Sequence, residues 1–149
     1  MSGLTAPTLV SPTQREAEAL VGHEFQTDED FQLGLTEIAS MGAANVVITL
    51  KTGCYALIRS SRSRDRLYRA WIPQVESVAT VGSADALLAG FVSGIEAERQ
   101  NEDVLRLALG AAAANTKEVG AGVFDPRDVA RFAGGVEVQE IAPRRAKAS

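Results

Sequence analysis

A continuous apolar run, NVVITL at residues 45–50, constrains the fold more than any other feature of the sequence. The run has the length of a β-strand, and we expect both of its faces to be covered, as in a parallel sheet, because apolar residues fill consecutive positions. The stretches before and after it instead repeat their apolar residues at helical spacing. Helices that alternate with strands predict an α/β domain.

Two helices are predicted ahead of this run. Residues 8–10, a β-branched and apolar stretch, are interpreted as the end of a buried strand that leads into a helix. Thr13 can cap that helix, and Gly22 is a good residue on which to end it. A second start signal at Thr27 opens a helix that is expected to continue through Ser40.

The chain beyond the apolar run predicts more strands and then a group of helices. The short connection at residues 51–53 predicts a β-hairpin into residues 54–58, and a third strand ends at Pro73. Three further helices and a last strand are predicted at residues 84–98, 101–116, 125–132 and 136–141. In the first of these helices, Gly90 and Gly94 lie four residues apart on one face, where another backbone can pack closely.

The composition excludes several classes of function. The chain has 149 residues, which suits one domain, and its net charge of −4 argues against nucleic-acid and membrane-surface partners. No apolar stretch approaches the roughly 20 residues that span a bilayer. The single cysteine, Cys54, fits a reducing compartment, so a cytoplasmic protein is expected. The arginine-rich stretch at residues 59–69 is either a solvated hairpin loop or an anion-binding segment.

The most informative segment for chemistry is TVGSADALLAGF, residues 80–91. Its small residues form a turn that enters a long helix, and unpaired amides at a helix start favour an anion such as phosphate. The carboxylate of Asp85 follows this turn. It is either an ordinary helix cap or a base that takes a proton from a hydroxyl nucleophile.

This segment resembles the second signature of the PfkB (ribokinase-like) carbohydrate kinases, a Gly-x-Gly-Asp loop followed by a helix of small residues. The preceding Thr80-Val81 is similar to the 1-phosphofructokinase form of that signature. The resemblance implies that Asp85 is the catalytic base that activates the sugar hydroxyl. It also implies that the loop amides form an anion hole for the γ-phosphoryl group of ATP, at Gly82, Ser83 and Ala84.

Other segments resemble the family in the same order along the chain. SPTQREAEALVG is similar to the Asn-x-x-Glu region, which implies that Glu16 helps to organise Mg²⁺ and phosphates, through water rather than as a direct metal ligand. Thr13 takes the place of the Asn and is a polar contact in the same network. VVITLKTGC resembles the strand and turn near the nucleotide and matches at Thr49 and Gly53.

The alanine-rich helix LALGAAAANTKEVGAG is similar to the family helix that flanks the adenine. The resemblance implies that Ala112 and Asn115 contact the nucleotide. Close packing of small residues is an alternative explanation for this helix.

The resemblance implies the C-terminal half of a ribokinase-like fold, with a mostly parallel sheet, a β-hairpin and flanking helices. Residues 1–133 would form a nucleotide-binding and catalytic half-domain, and residues 134–149 a terminal strand and a disordered tail. Three positions depart from the family pattern. Ala84 replaces the second loop Gly and would be strained if that position needs a positive φ. Thr13 replaces the Asn, and Ala79 lies where many members carry Asp or Asn.

The implied function is an ATP-dependent phosphosugar kinase, similar to 1-phosphofructokinase, that uses ATP and Mg²⁺. The sugar-binding half is expected to be missing, so the isolated chain should be weakly active or inactive, because phosphoryl transfer depends on positioning of the hydroxyl. A homodimer or a complementing N-terminal half could cover the exposed sheet edge, and the N-terminal half would supply the phosphosugar site. The alternative is an inactive remnant that binds nucleotide weakly or serves as an interaction module.

Overall fold

A computed structural model describes residues 9–59, 66–73, 83–117 and 126–141 of the chain. Helices and strands alternate along it, which confirms the predicted α/β class. The elements, in chain order, are β1 (Leu9–Val10), α1 (Gln14–Val21), α2 (Asp28–Ser40), β2 (Asn45–Thr49), β3 (Gly53–Ile58), β4 (Arg66–Trp71), α3 (Ser83–Glu96), α4 (Asn101–Lys117), α5 (Pro126–Gly134) and β5 (Glu137–Ile141).

The first two helices begin and end where the sequence predicted. Thr13 and Thr27 are the N-cap residues of α1 and α2, and each forms a capping box with the acidic residue three positions later. Gly22 ends α1 with φ at 85°, a left-handed conformation that glycine adopts without strain. Its N–H donates a hydrogen bond to the carbonyl oxygen of Glu18.

The five strands form one sheet in the order β1-β2-β3-β4-β5. β1 and β2 are parallel, and Val10 lies opposite Val46. The connections at residues 50–52 and 59–65 are too short for a parallel crossover, so β2 and β3, and likewise β3 and β4, pair antiparallel. The predicted hairpin is therefore confirmed, and the described sheet is mixed rather than mostly parallel.

The strand β1 is the first in the order of the sheet and pairs with β2 alone among the described strands. Its residues Leu9 and Val10 are half-buried, so the expectation of a buried strand is wrong for these two positions. A strand with one hydrogen-bonded neighbour leaves its other edge uncovered by sheet. The expected open edge at this strand is present in the described part of the chain.

The described residues group into two compact units. The first, within Met1–Ile48, Tyr55–Tyr68 and Glu140–Ser149, contains α1 and α2. The second, within Thr49–Cys54 and Arg69–Gln139, contains α3, α4 and α5. Within the part of the chain that the structure describes, no helix is both long and apolar enough to cross a bilayer.

Aromatic side chains organise the core of the first unit. The ring of Phe31 stacks on the ring of Tyr55 with 4.0 Å between centroids and 6° between planes, and Phe25 packs against Phe31. The hydroxyl of Tyr55 donates a hydrogen bond to the carboxylate of Asp28. These contacts fasten α2 to the buried strand β3.

Small residues organise the core of the second unit. The buried side chains of α4 include four consecutive alanines at positions 111–114. Gly110 faces α5 so closely that an added Cβ would lie 2.8 Å from the carbonyl oxygen of Val129. The helices α3, α4 and α5 therefore pack with their backbones close together.

Candidate active site

The exposed carboxylate of Asp85 lies in the first turn of α3. The first amides of a helix have no partner inside the helix, and the helix dipole favours negative charge at that end. The start of α3 therefore suits a phosphate group, and a carboxylate exposed beside it is open to accept a proton. Burial of this side chain in the protein core would have ruled out the role of base.

Two of the three predicted anion-hole residues fall in the described part of the chain. Ser83 begins α3 and Ala84 follows it, whereas Gly82 lies outside the described residues, as does Ala79. Ala84 has a helical backbone, in which φ is negative. The strain expected of a positive φ is therefore not found at this position.

Two glycines of α3 allow another backbone to approach this helix closely. A Cβ added to Gly90 would lie 2.6 Å from the carbonyl oxygen of Leu107 and 2.9 Å from the Cα of Ala108. One added to Gly94 would lie 3.0 Å from the Cα of Val104. The predicted close approach of another backbone is confirmed, and the neighbour is α4. This packing holds the helix that carries Asp85.

Thr13 and Glu16 meet at the start of α1. The N–H of Thr13 donates to Oε1 of Glu16 at 2.9 Å, and the N–H of Glu16 donates to the hydroxyl of Thr13 at 3.2 Å. Both side chains are exposed. The two residues that the sequence placed in a magnesium and phosphate network thus form a helix cap together.

Thr49 and Gly53 lie on either side of the hairpin turn. Thr49 ends β2 and is half-buried, and Gly53 begins β3 and is buried. The N–H of Leu50 donates to the carbonyl oxygen of Gly53 at 2.8 Å, which closes the turn. A Cβ at Gly53 would clash with the backbone of Ala70 and Trp71 on β4. Packing between the strands is enough to require glycine here.

Ala112 and Asn115 differ in their access to a ligand. Ala112 is 0% exposed, so its methyl group packs in the protein interior. This burial favours the close-packing explanation for the alanine-rich stretch at that position. Asn115 is half-buried and keeps part of its surface open. Of the two, Asn115 is therefore the better candidate for a nucleotide contact.

The predicted residues are divided between the two compact units. Thr13 and Glu16 belong to the first unit. The second unit contains the predicted residues of the hairpin, of the start of α3 and of the alanine-rich helix. In the described part of the chain, no group of three or more His, Cys, Asp or Glu side chains is arranged to hold a metal ion.

Two polar residues of the first unit form hydrogen bonds that the sequence did not predict. Asn45 is buried, and its side-chain oxygen accepts a hydrogen bond from the N–H of Arg59 at 3.1 Å. The carboxylate of Glu18 accepts from the N–H of Phe25, and this bond holds the pKa of Glu18 below its ordinary value. Asn45 is the polar residue that begins the apolar run at residues 45–50. A polar side chain buried at such a position needs a hydrogen-bond partner, so its place in the sequence could have indicated this bond.

Comparisons of the sequence with those of known proteins agree on one family. The sequence profile described as "pfkB family carbohydrate kinase" matches residues 1–127. The chain is 29% identical over 137 residues to 1-phosphofructokinase of Escherichia coli strain K12, an alignment that covers 90% of this chain and 42% of that protein. The chain thus spans about two fifths of the length of the curated relatives it matches.

Solved structures agree with the sequence comparison. Phosphofructokinase-2 from Escherichia coli in complex with substrates and products matches with a TM-score of 0.71 and 25% identity, over 85% of this chain and 40% of that one. Arabidopsis thaliana ribokinase complexed with ribose and ATP matches with a TM-score of 0.66 and 22% identity, also over 85% and 40%. The similarity to this ribokinase structure shows that the fold is ribokinase-like.

Proposed function

Because the chain belongs to the pfkB family of carbohydrate kinases, we propose that it carries the nucleotide-binding and catalytic part of an ATP-dependent phosphosugar kinase. The acceptor class follows the relatives named 1-phosphofructokinase. The observation that carries the proposal is the exposed carboxylate of Asp85 in the first turn of α3. A cytoplasmic location fits a substrate of this class.

In the proposed reaction, Asp85 takes the proton of a sugar hydroxyl while the hydroxyl oxygen attacks the γ-phosphorus of ATP. A bond forms between that oxygen and the γ-phosphorus. The bond from the γ-phosphorus to the bridging oxygen breaks, and ADP leaves with the electron pair. The main-chain amides of Gly82, Ser83 and Ala84 bind the phosphoryl oxygens as negative charge develops on them.

Bound Mg²⁺ would neutralise charge on the phosphate oxygens. The exposed carboxylate of Glu16 suits this ion, since Mg²⁺ prefers oxygen ligands and keeps several of its waters. We assign Glu16 to such a water. Thr49, Gly53 and Asn115 are the proposed neighbours of the nucleotide.

The phosphosugar site is proposed to come from polypeptide beyond the matched region. The chain spans about two fifths of the length of its curated relatives, and a kinase needs a pocket that aligns the hydroxyl with the γ-phosphate. A complementing N-terminal half would provide that pocket, and a second copy of the chain would cover the exposed sheet edge. The open edge of β1 offers either partner a strand with which to pair.

An inactive module that binds nucleotide or another protein is the second candidate. It is favoured by Ala84, whose methyl group replaces a glycine hydrogen at the position where the phosphate would approach. The two candidates differ in what they predict for turnover, but both allow ATP to bind.

Isothermal titration calorimetry with ATP and Mg²⁺ tests the nucleotide site. We expect the wild-type protein to bind, the Ala84→Gly variant to bind more tightly, and Asp85→Asn to bind about as well as wild type because the base acts on the sugar. If neither the wild type nor Ala84→Gly releases or absorbs heat, the kinase proposal fails and only an interaction module is left.

Turnover is tested separately with fructose 1-phosphate and a coupled assay for ADP, in the presence of a sugar-binding half from a relative. Asp85→Ala should abolish any activity of the wild type. Activity that survives Asp85→Ala would rule out this residue as the base.

A further inference from the structure

The imidazole of His23 is held between the end of α1 and the side of α2. His23 is the single histidine of the chain and follows Gly22, on which α1 ends. Its ring packs edge-on against the ring of Phe25, with 5.4 Å between centroids and 70° between planes. Nδ1 lies 3.3 Å from the main-chain carbonyl oxygen of Glu24. Nε2 lies 3.7 Å from Oε1 of Glu37, which is on α2.

A neutral imidazole does not suit these neighbours. A carbonyl oxygen only accepts hydrogen bonds, so Nδ1 carries the hydrogen and Nε2 of the neutral ring has a lone pair. That lone pair faces a carboxylate oxygen of Glu37, and neither atom can donate. Nε2 is buried and has no hydrogen-bond partner in the described part of the chain, which is unfavourable for a polar atom. A proton on Nε2 makes it a donor to Glu37.

We propose that His23 and Glu37 form a pH-dependent ion pair that ties the connection at residues 22–27 to α2. Histidine is the side chain that ordinarily changes charge between about pH 5 and 8. Because only the charged ring donates at both nitrogens, the pair stabilises the fold at the acidic end of this range. Its contribution is lost as the pH rises. The pair has no part in the proposed phosphoryl transfer.

Other charged groups lie near this connection on both helices and within it: Arg15 and Glu18 on α1, Glu24 in the connection, and Asp30 on α2. The N–H of Phe25 holds the pKa of Glu18 below its ordinary value of 4.5, and the positive charge of His23 adds a smaller part. A main-chain N–H, again with a smaller part from His23, holds the pKa of Asp30 below its ordinary value of 3.8. Both carboxyl groups therefore keep their charge across the range in which histidine titrates.

The test compares the wild type with Glu37→Gln, His23→Gln and Glu24→Gln. Glu24→Gln is the matched control, because it removes an exposed carboxylate next to His23 in the sequence but leaves the pair with Glu37 in place. Urea unfolding followed by circular dichroism gives the folding equilibrium constant at about pH 5.5 and about pH 8. In the folded protein, the NMR signal of the single imidazole reports the charge of His23 at each pH.

We expect the folding equilibrium constant of the wild type, relative to that of Glu37→Gln, to rise about 3-fold from pH 8 to pH 5.5, as for a partly exposed ion pair. Glu24→Gln should keep this rise. His23→Gln should lack it, because glutamine does not titrate, and Glu37→Gln added to His23→Gln should not alter the pH dependence further. The imidazole signal should move between the two pH values.

Three results would overturn the inference. The first is the same pH dependence in the wild type and in Glu37→Gln, which would mean that the charged ring does not bind Glu37. The second is an equal loss in Glu24→Gln, which would assign the effect to negative charge in general. The third is an imidazole signal that does not move between pH 8 and pH 5.5. Each of these results leaves the proposed kinase function in place.

Discussion

Replacement of Gly90 by alanine should disturb the packing that holds α3. The added methyl group would lie 2.6 Å from the carbonyl oxygen of Leu107, and 2.9 Å from both the carbonyl carbon of Leu107 and the Cα of Ala108. All three atoms belong to the backbone of α4, so no side-chain rotation relieves the contact. One helix must move away from the other.

Two opposing terms set the size of the effect. Overpacking of a core costs about 1–3 kcal/mol, and the backbone contacts place this substitution near the upper end. Alanine in place of glycine inside a helix stabilises the folded protein by about 1 kcal/mol through its higher helix propensity. We therefore expect Gly90→Ala to be destabilised by about 2 kcal/mol, which for a chain of this size lowers the melting temperature by about 4–8 °C.

Urea unfolding followed by circular dichroism measures this difference directly. Gly134→Ala is the control, because Gly134 ends α5 and an added Cβ would meet nothing within 4 Å. That variant should match the wild type within about 0.5 kcal/mol. A Gly90→Ala protein as stable as the wild type, beside an unaffected control, would show that α3 and α4 do not approach as closely as described.

Three further predictions concern stability and reactivity. Glu98 follows α3 with φ at 58°, so Glu98→Gly should stabilise the protein by about 1 kcal/mol in the same urea assay, and a loss of stability would contradict the left-handed assignment. Burial raises the pKa of the Cys54 thiol from 9.0 to about 12. Its contribution to stability should therefore be complete below pH 9.0 and fall as the pH rises toward 12, and iodoacetamide should label the thiol only after unfolding. A hydrogen bond from a backbone N–H lowers the pKa of Glu18, so its contribution should be present above pH 4.5 and be lost as the pH falls. Acid unfolding monitored by fluorescence should consequently depend less on pH in Glu18→Gln. An unchanged profile would contradict a stabilising role for the hydrogen bond to Glu18.

Local signals in the sequence were enough to predict the elements. Thr13 and Thr27 marked helix starts through a side-chain oxygen, and Gly22 marked a stop through its freedom to adopt a positive φ. The hairpin followed from the shortness of the connection between two apolar runs. Each of these rules involves residues that are neighbours in the chain.

Features that depend on distant neighbours could not be predicted in the same way. The half-burial of Leu9 follows from its place at the edge of the sheet, and the complete burial of Ala112 follows from the helices packed around it. The hydrogen bond between Asn45 and Arg59 joins the first residue of β2 to the residue that follows β3. Sequence spacing does not encode such contacts, so the sequence could name candidate site residues but not which of them lie close together.

Amide chemical shifts in a titration with ATP and Mg²⁺ test the central claim most directly. If the start of α3 binds phosphate, the signals of Ser83, Ala84 and Asp85 should move in proportion to the bound fraction, and those of β5 should not. Saturation by nucleotide with these three signals unmoved, and changes confined to other elements, would contradict the assignment of the phosphate site to α3.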